Sequence, residues 1–127
     1  MPETKQGDNM TSDKAREMVK LAYKAMDDKK GQEIKILDIS DITTIADYFI
    51  ICSGSNVSQR DAIVDNIEET MGRAGYNARR TEGGRNSGWI LMDYTDVVVH
   101  VFSQDDRLFY DLERIWRDGK SVDPAEI

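Results

Sequence analysis

The chain has 127 residues, of which 39% are hydrophobic and 32% are charged, and its formal net charge is -7. This composition fits one domain with a real core, and the apolar residues fall in blocks shorter than the roughly 20 residues that span a bilayer. The only cysteine, Cys52, excludes an internal disulfide and a thiolate metal site. Because the first residues lack the basic-then-apolar pattern of a secretory signal, we expect a cytoplasmic protein without a membrane partner.

The charge pattern argues against a nucleic-acid partner. A protein that grips phosphates presents clustered Lys and Arg, and no such stripe occurs here. Between Asp93 and Glu113 the chain holds six acids and one base, Arg107. Such a surface suits a basic partner, although many proteins are acidic only for solubility. We therefore expect little direct contact with nucleic acid.

The N-terminal region predicts a flexible segment and then a helix. Residues 1–10 are polar and expected to be flexible. Thr11 and Ser12 are candidate caps for a helix that runs to about Lys29, with apolar residues at the helical period.

Two strands and a second helix are predicted next. The first strand covers residues 34–37, and the second covers residues 48–52, which are so apolar that both faces should be buried. Ser55 or Asn56 caps the following helix, and Gly75 ends it.

The second half of the chain predicts three strands and a helix. A weak strand at residues 76–81 and a flexible loop precede two strongly apolar strands, at residues 89–92 and 97–102, which form a hairpin. Ser103 then caps a final helix. Its expected buried face consists of Leu108, Phe109, Leu112, Ile115 and Trp116.

The element order α-β-β-α-β-β-β-α indicates the α/β class. We expect a single domain at residues 11–118, with a mixed five-stranded sheet flanked by helices, and a C-terminal tail at residues 119–127.

Features that suggest an enzyme are weak. Ser53-Gly54-Ser55 at a strand-to-helix junction could hold phosphate, but a helix cap and tight turn is the favoured explanation. A nucleotidyltransferase needs paired carboxylates on the next strand to hold metal ions, and the residues expected there contain none. His100, the only histidine, lies in an apolar strand with no motif linking it to Cys52. We therefore predict no catalytic residues, no metal site and no cofactor.

The hairpin is the segment most suggestive of binding. If Tyr94 and Thr95 form the turn, residues whose numbers sum to 189 face one another. The pairs Ile90 with Val99 and Met92 with Val97 then belong to the core. The pairs on the other face are Trp89 with His100, Leu91 with Val98, and Asp93 with Asp96.

A tryptophan with two carboxylates on one sheet face is typical of a protein-binding surface with an aromatic anchor. Carboxylates directly opposite each other repel, and a basic partner would relieve that repulsion. Tyr94 at the tip would add a ring and a hydroxyl. A partly covered tryptophan beside a solvated turn explains the same pattern without a partner. The candidate binding residues are Trp89, Leu91, Asp93, Tyr94, Asp96 and His100, and the link at residues 38–47 is the next candidate.

Several stretches together resemble the Iojap-like ribosomal silencing factor family. They are Leu37-Asp38-Ile39-Ser40, Ala46-Asp47-Tyr48-Phe49-Ile50-Ile51-Cys52-Ser53-Gly54-Ser55, Gly88-Trp89-Ile90-Leu91-Met92-Asp93-Tyr94, Asp96-Val97-Val98-Val99-His100-Val101-Phe102, and Arg107-Leu108-Phe109-Tyr110-Asp111-Leu112-Glu113-Arg114-Ile115-Trp116. One departure is Thr95, where the family usually has glycine, so we expect a turn of another shape.

The resemblance implies a nucleotidyltransferase-like fold without the catalytic carboxylates. It further implies binding to the large ribosomal subunit through its ribosomal protein fourteen. Occlusion there would block joining of the small subunit and repress translation when nutrients are short. Two alternatives stay open, a large-subunit assembly factor without silencing and a nucleotidyltransferase-like enzyme. The resemblance also allows a homodimer of the free protein.

Overall fold

The computed structural model describes residues 2–84 and 86–127, with side chains from Asp13 onward. The elements are α1 (Pro2–Asp28), β1 (Gln32–Asp38), β2 (Tyr48–Gly54), α2 (Val57–Arg73), β3 (Arg80–Glu82), β4 (Trp89–Asp93), β5 (Val97–Ser103), α3 (Gln104–Tyr110), α4 (Leu112–Ile115), β6 (Lys120–Val122) and a short 3-10 turn (Pro124–Glu126). None of the helices in these ranges combines the length and apolar character needed to cross a membrane.

The strands form one mixed sheet in the order β3-β4-β5-β2-β1-β6. β2 and β5 run parallel at its centre, and the other neighbours are antiparallel. The α/β class and the mixed sheet flanked by helices are confirmed. The strand count of five is wrong, because β6 pairs with β1 at the edge of the sheet. The segment predicted as a C-terminal tail thus contributes a strand. The composition of its three residues, Lys120–Val122, gives no sequence signal for a strand.

The N-terminal helix begins earlier than its caps predict. α1 starts at Pro2, and proline is favoured at the first helical position because its missing N–H needs no partner there. Thr11 and Ser12 are therefore not caps. The side chains before Asp13 lie outside the described residues, and the flexibility expected of residues 1–10 stays a prediction.

The larger core lies between the sheet and the two long helices. α1 and α2 pack against each other and against β2 and β5. Asn56 caps α2 as predicted, with its side chain accepting a hydrogen bond from the Gln59 N–H at 2.8 Å. Each large apolar side chain buried here stabilises the fold by ~1.5–3 kcal/mol. The best buried are Met18, Val19, Met26, Ile36, Ile50, Ile63, Ile67, Met71 and Met92. This side of the sheet is called the α1/α2 face.

A smaller core covers the opposite side of the sheet, called the α3/α4 face. Its buried members are Leu37, Ile39, Ala46, Phe49, Ile51, Val98, Phe102 and Leu112, with Trp89, Leu91 and Trp116 packed against them. The short helices α3 and α4 lie on this side, and Ile39 and Ala46 of the link between β1 and β2 complete its core.

The hairpin register differs from the prediction by two residues. Leu91 pairs with His100, and Asp93 pairs with Val98, so the numbers sum to 191 instead of 189. The loop after the last pair is longer than predicted, and within it Thr95 adopts a φ of 74°, a left-handed conformation that β-branched residues resist. A shift by two residues keeps every side chain on its face, so the assignment of Ile90 and Met92 to the core is confirmed.

The predicted final helix is two helices. Ser103 caps α3 as predicted, accepting a hydrogen bond from the Asp106 N–H at 3.1 Å. Asp111 takes a left-handed φ of 49° and separates α3 from α4. The expected buried face is wrong for three residues, whose side chains are exposed to solvent. These are Leu108, Phe109 and Ile115.

Candidate protein-binding site

The α3/α4 face carries a half-buried tryptophan at the edge of its core. Trp89 at the start of β4 lies against the Phe102 ring, with centroids 5.0 Å apart, and against Tyr110 of α3, at 4.6 Å. Leu91, two residues further along β4, lies on the same face and is also half-buried. Both residues retain exposed apolar surface, as expected of binding residues.

His100 lies beneath this tryptophan and is 2% exposed. Its Nδ1 accepts a hydrogen bond from the Trp89 Nε1–H at 3.1 Å. The Phe49 ring meets the imidazole edge-on, with centroids 4.8 Å apart. Burial lowers the pKa of His100 to about 3, so the ring is neutral at physiological pH. Although His100 was predicted to contact a partner, it is covered and reaches the surface only through Trp89.

Asp93 is buried and paired inside the protein. One carboxylate oxygen accepts from the Arg79 guanidinium at 3.2 Å and lies 3.8 Å from Arg80. The other oxygen accepts from the Thr95 N–H at 2.8 Å, which holds the turn. The predicted opposition of Asp93 and Asp96 is wrong, because Val98 stands opposite Asp93. The Asp93 carboxylate therefore holds the turn by a hydrogen bond to the Thr95 N–H, and it pairs with Arg79 and Arg80.

Tyr94 points into the core, although it was predicted to project from the hairpin tip. Its side chain is 5% exposed and belongs to the core of the α1/α2 face. Burial raises the pKa of Tyr94 to about 12, with a contribution from the Glu68 carboxylate. Period-two alternation along β4 already places this residue with Ile90 and Met92, a signal that the tip assignment overlooked.

Asp96 is partly exposed and lies at the acidic end of the sheet, where β1 ends and β2 and β5 begin. Its backbone carbonyl accepts from the N–H groups of Asp47 and Tyr48, at 2.8 and 3.1 Å. The pKa of Asp47 is raised by burial first, and then by the charges of Asp96 and Asp38. The carboxylates of Asp96 and Asp38 thus lie close enough to Asp47 to repel its charge.

Four of the six exposed large apolar side chains among the described residues lie on the short helices, whereas Ile42 and Ile45 lie in the link between β1 and β2. The four on the helices form what is here called the apolar ridge, which consists of Leu108 (81% exposed), Phe109 (79%), Tyr110 (41%) and Ile115 (64%). The Phe109 and Tyr110 rings meet edge-on, 5.1 Å apart, and Tyr110 contacts Trp89. The sequence offered a signal for this ridge, since three consecutive apolar residues span about 200° of a helix and cannot share one buried face.

A buried arginine holds the short helices on the sheet. Arg107 is 7% exposed and donates to the Ser53 hydroxyl at 3.0 Å, the Gln32 carbonyl at 3.2 Å and the Glu113 carboxylate at 3.1 Å. It thereby joins α3 to β1, β2 and α4. A cavity of about 350 Å³ opens beside it, with Gln104, Leu108 and Asp111 also in its lining.

The features that suggested an enzyme do not converge. Cys52 and His100 lie on adjacent strands but on opposite faces of the sheet, since the partner of His100 is Ile51. Burial raises the pKa of the Cys52 thiol to about 12, which leaves it an inert thiol. Glu82, which the observed β3 includes, is exposed and paired with Arg80 at 3.3 Å. Among the described residues no cluster of three or more His, Cys, Asp or Glu is arranged to hold a metal ion.

Comparison with known proteins gives a consistent result. Residues 12–127 match the family model described as "Ribosomal silencing factor during starvation". A protein named ribosomal silencing factor RsfS from Halalkalibacterium halodurans is 39% identical over 108 residues, which cover 85% of this chain and 92% of the relative. The protein of that name from Bacillus subtilis shows the same identity and coverage. A crystal structure of a protein from Chromobacterium violaceum superposes with a TM-score of 0.77 at 34% identity, covering 84% of this chain and 88% of that one.

Proposed function

This chain belongs to the family of ribosomal silencing factors, a regulatory family, and from that premise we propose that it binds the large ribosomal subunit through ribosomal protein fourteen and sterically blocks joining of the small subunit. The contact surface in this proposal is the exposed part of the α3/α4 face, namely Trp89, Leu91 and the apolar ridge, together with Asp96 at the hairpin loop. The observation that carries it is the ridge itself.

Exposed apolar side chains in one place favour a protein partner. Monomeric soluble proteins rarely keep large contiguous apolar patches, and those that persist mark interaction sites. Phe109 and Leu108 are largely exposed, and the Tyr110 ring contacts both the Phe109 ring and the Trp89 ring. Aromatic side chains held by their neighbours lose little entropy on binding and are enriched among interface anchors.

The charge of the chain favours a basic protein over RNA. The net charge of -7 repels a phosphate backbone and attracts Lys and Arg side chains of a ribosomal protein. The charges of Asp38 and Asp96 repel that of Asp47 at the acidic end of the sheet, and an approaching cation would relieve that repulsion. Asp96 therefore stays in the proposed site, whereas Asp93 and Tyr94 support it from within.

The proposal involves occlusion and no catalysis. Subunit joining needs two large surfaces to meet, so a bound protein of this size blocks it without chemistry. The arrangement of Cys52 and His100 on opposite faces also leaves no nucleophile and base in contact.

Sedimentation with purified ribosomal subunits tests the proposal. The protein should pellet with free large subunits, and it should pellet with neither small subunits nor joined ribosomes. Adding it before the small subunit should reduce the yield of joined ribosomes in proportion to its occupancy. Equal binding to small subunits, or tight binding to bare ribosomal RNA, would contradict both the partner and the mechanism.

A pair of matched variants tests the location of the surface. Phe109→Ser should weaken large-subunit binding by about tenfold or more, because it removes an exposed aromatic contact worth over 1.4 kcal/mol. The control is Ile45→Ser, which removes an apolar side chain of similar exposure, 67%, from the link between β1 and β2. Neither change should lower the melting temperature. If Ile45→Ser abolishes binding and Phe109→Ser does not, the contact surface is the link at residues 38–47.

A further inference from the structure

We infer that His100 is a positioning residue, which holds the Trp89 indole in the orientation that the partner recognises. This inference rests on the proposed function, since it concerns the surface that carries it. The contact between the two side chains is a single hydrogen bond of 3.1 Å from Trp89 Nε1 to His100 Nδ1.

The direction of this hydrogen bond fixes the form of the histidine. The indole nitrogen can only donate, so Nδ1 of His100 must carry the lone pair and Nε2 must carry the proton. Nε2 is buried, and no described atom accepts a hydrogen bond from it. An apolar side chain would fill the same space without an unpaired buried N–H group. If His100 only filled space in the core, its unpaired N–H group would cost free energy without any benefit. The hydrogen bond that Nδ1 accepts from Trp89 accounts for a histidine at this position.

The surroundings of His100 keep it in this acceptor form. Leu91 stands opposite it on β4 and Ile51 on β2, and the Phe49 and Phe102 rings lie against it. None of these four neighbours is charged or titratable. The acceptor on Nδ1 is therefore permanent under physiological conditions.

The consequence for Trp89 is a fixed orientation at the surface. The hydrogen bond joins contacts with Phe102 and Tyr110, so three groups hold an indole that remains half-exposed. Without the acceptor, the indole N–H would turn toward water and the ring would leave Phe102. A partner would then have to restrict the ring as it binds, at a cost in affinity.

Two substitutions of equal shape separate positioning from packing. His100→Asn places an amide oxygen close to the position of Nδ1, whereas His100→Leu has the same branching and no acceptor. We expect His100→Asn to bind large subunits within about threefold of the wild type, and His100→Leu to bind about tenfold more weakly. The thermal stabilities should follow the opposite order, because leucine suits the apolar site better than asparagine.

A spectroscopic measurement reports the hydrogen bond without ribosomes. The chain has two tryptophans, so a nitrogen-15 correlation spectrum shows two indole N–H signals. The Trp89 signal should be protected from solvent exchange in the wild type and in His100→Asn, and should exchange rapidly in His100→Leu. Trp89→Phe, which removes the donor, should weaken binding further, and adding His100→Leu to it should cost no more affinity.

The inference is overturned if the Trp89 indole is unprotected in the wild type, or if His100→Leu binds as tightly as His100→Asn. Loss of binding in both variants, in step with lost stability, would also overturn it in favour of a packing role. If wild-type protein fails to bind large subunits while its Trp89 indole is protected, the failure is that of the proposed function, and the positioning role falls with it.

Discussion

Arg107 offers the sharpest test of how the α3/α4 face is built. Arg107→Leu removes a guanidinium that makes three hydrogen bonds of 3.0–3.2 Å to β1, β2 and α4. The buried hydroxyl of Ser53 then loses a donor, and Glu113, whose side chain is 29% exposed, loses its counter-ion. The leucine side chain fills the space of the aliphatic part of Arg107, but it donates no hydrogen bond to Ser53 or Glu113.

The expected loss in the free energy of unfolding is about 3–5 kcal/mol, as for other buried ion pairs that lose one partner. Because the Glu113 carboxylate regains some water, the lower half of this range is the better expectation. For a domain of this size the melting temperature should fall by roughly 10 °C or more. Arg107→Leu with Glu113→Leu should recover part of the loss, because the second change removes the unpaired charge.

Urea unfolding followed by circular dichroism measures these differences at neutral pH. The matched control is Arg73→Leu, which breaks the Arg73–Glu69 pair on α2, where both side chains are more than half exposed. The control should cost less than about 1 kcal/mol. The reasoning is refuted if Arg107→Leu is no more destabilising than Arg73→Leu, or if the double variant is as unstable as the sum of its parts.

Three further predictions concern titratable groups. Because the pKa of His100 is lowered to about 3, its contribution to stability is complete above the unfolded value near 6.5 and is lost as pH falls. Between pH 7.5 and 5.5 this group should remove about 1.4 kcal/mol from the free energy of unfolding, a decrease that His100→Leu should abolish and that calorimetry would detect. The pKa of Asp47 is raised in the folded protein, so its ionised carboxylate destabilises the fold at neutral pH. Asp47→Asn should therefore raise the melting temperature at pH 7. A gain that persists unchanged at pH 3.5 would contradict a gain that comes from removing this charge. Cys52 should react with a thiol reagent only on unfolding, and rapid labelling of the native protein would refute its burial.

The features that the sequence predicts well are those set by local pattern. The apolar runs of β2 and β5 are the central parallel strands, as their lack of polar alternation indicates. Asn56 and Ser103 cap their helices because short polar side chains before an apolar stripe satisfy free N–H groups. Trp89 and Leu91 share a face because the period of a strand is two, which a register shift of two preserves.

The features that the sequence predicts poorly depend on backbone conformations or contacts without a local signal. Thr95 and Asp111 both take positive φ without being glycine, so neither the longer hairpin loop nor the break between α3 and α4 is marked. β6 exists only because it pairs with β1, some eighty residues away in the sequence. The pairing of Asp93 with Arg79 and Arg80 likewise follows from the placement of β3 beside β4.

The unequal covering of the two sides of the sheet has a consequence for hydrogen exchange. α3 has seven residues and α4 has four, lengths at which isolated helices do not persist in water. Their amides should therefore exchange through local opening, while those of β2 and β5 exchange only when the whole molecule unfolds. The apolar ridge therefore unfolds and refolds locally with α3 and α4, while the sheet stays folded. A partner that binds the ridge stabilises its folded form by mass action. Slower amide exchange in α3 and α4 would therefore report that binding.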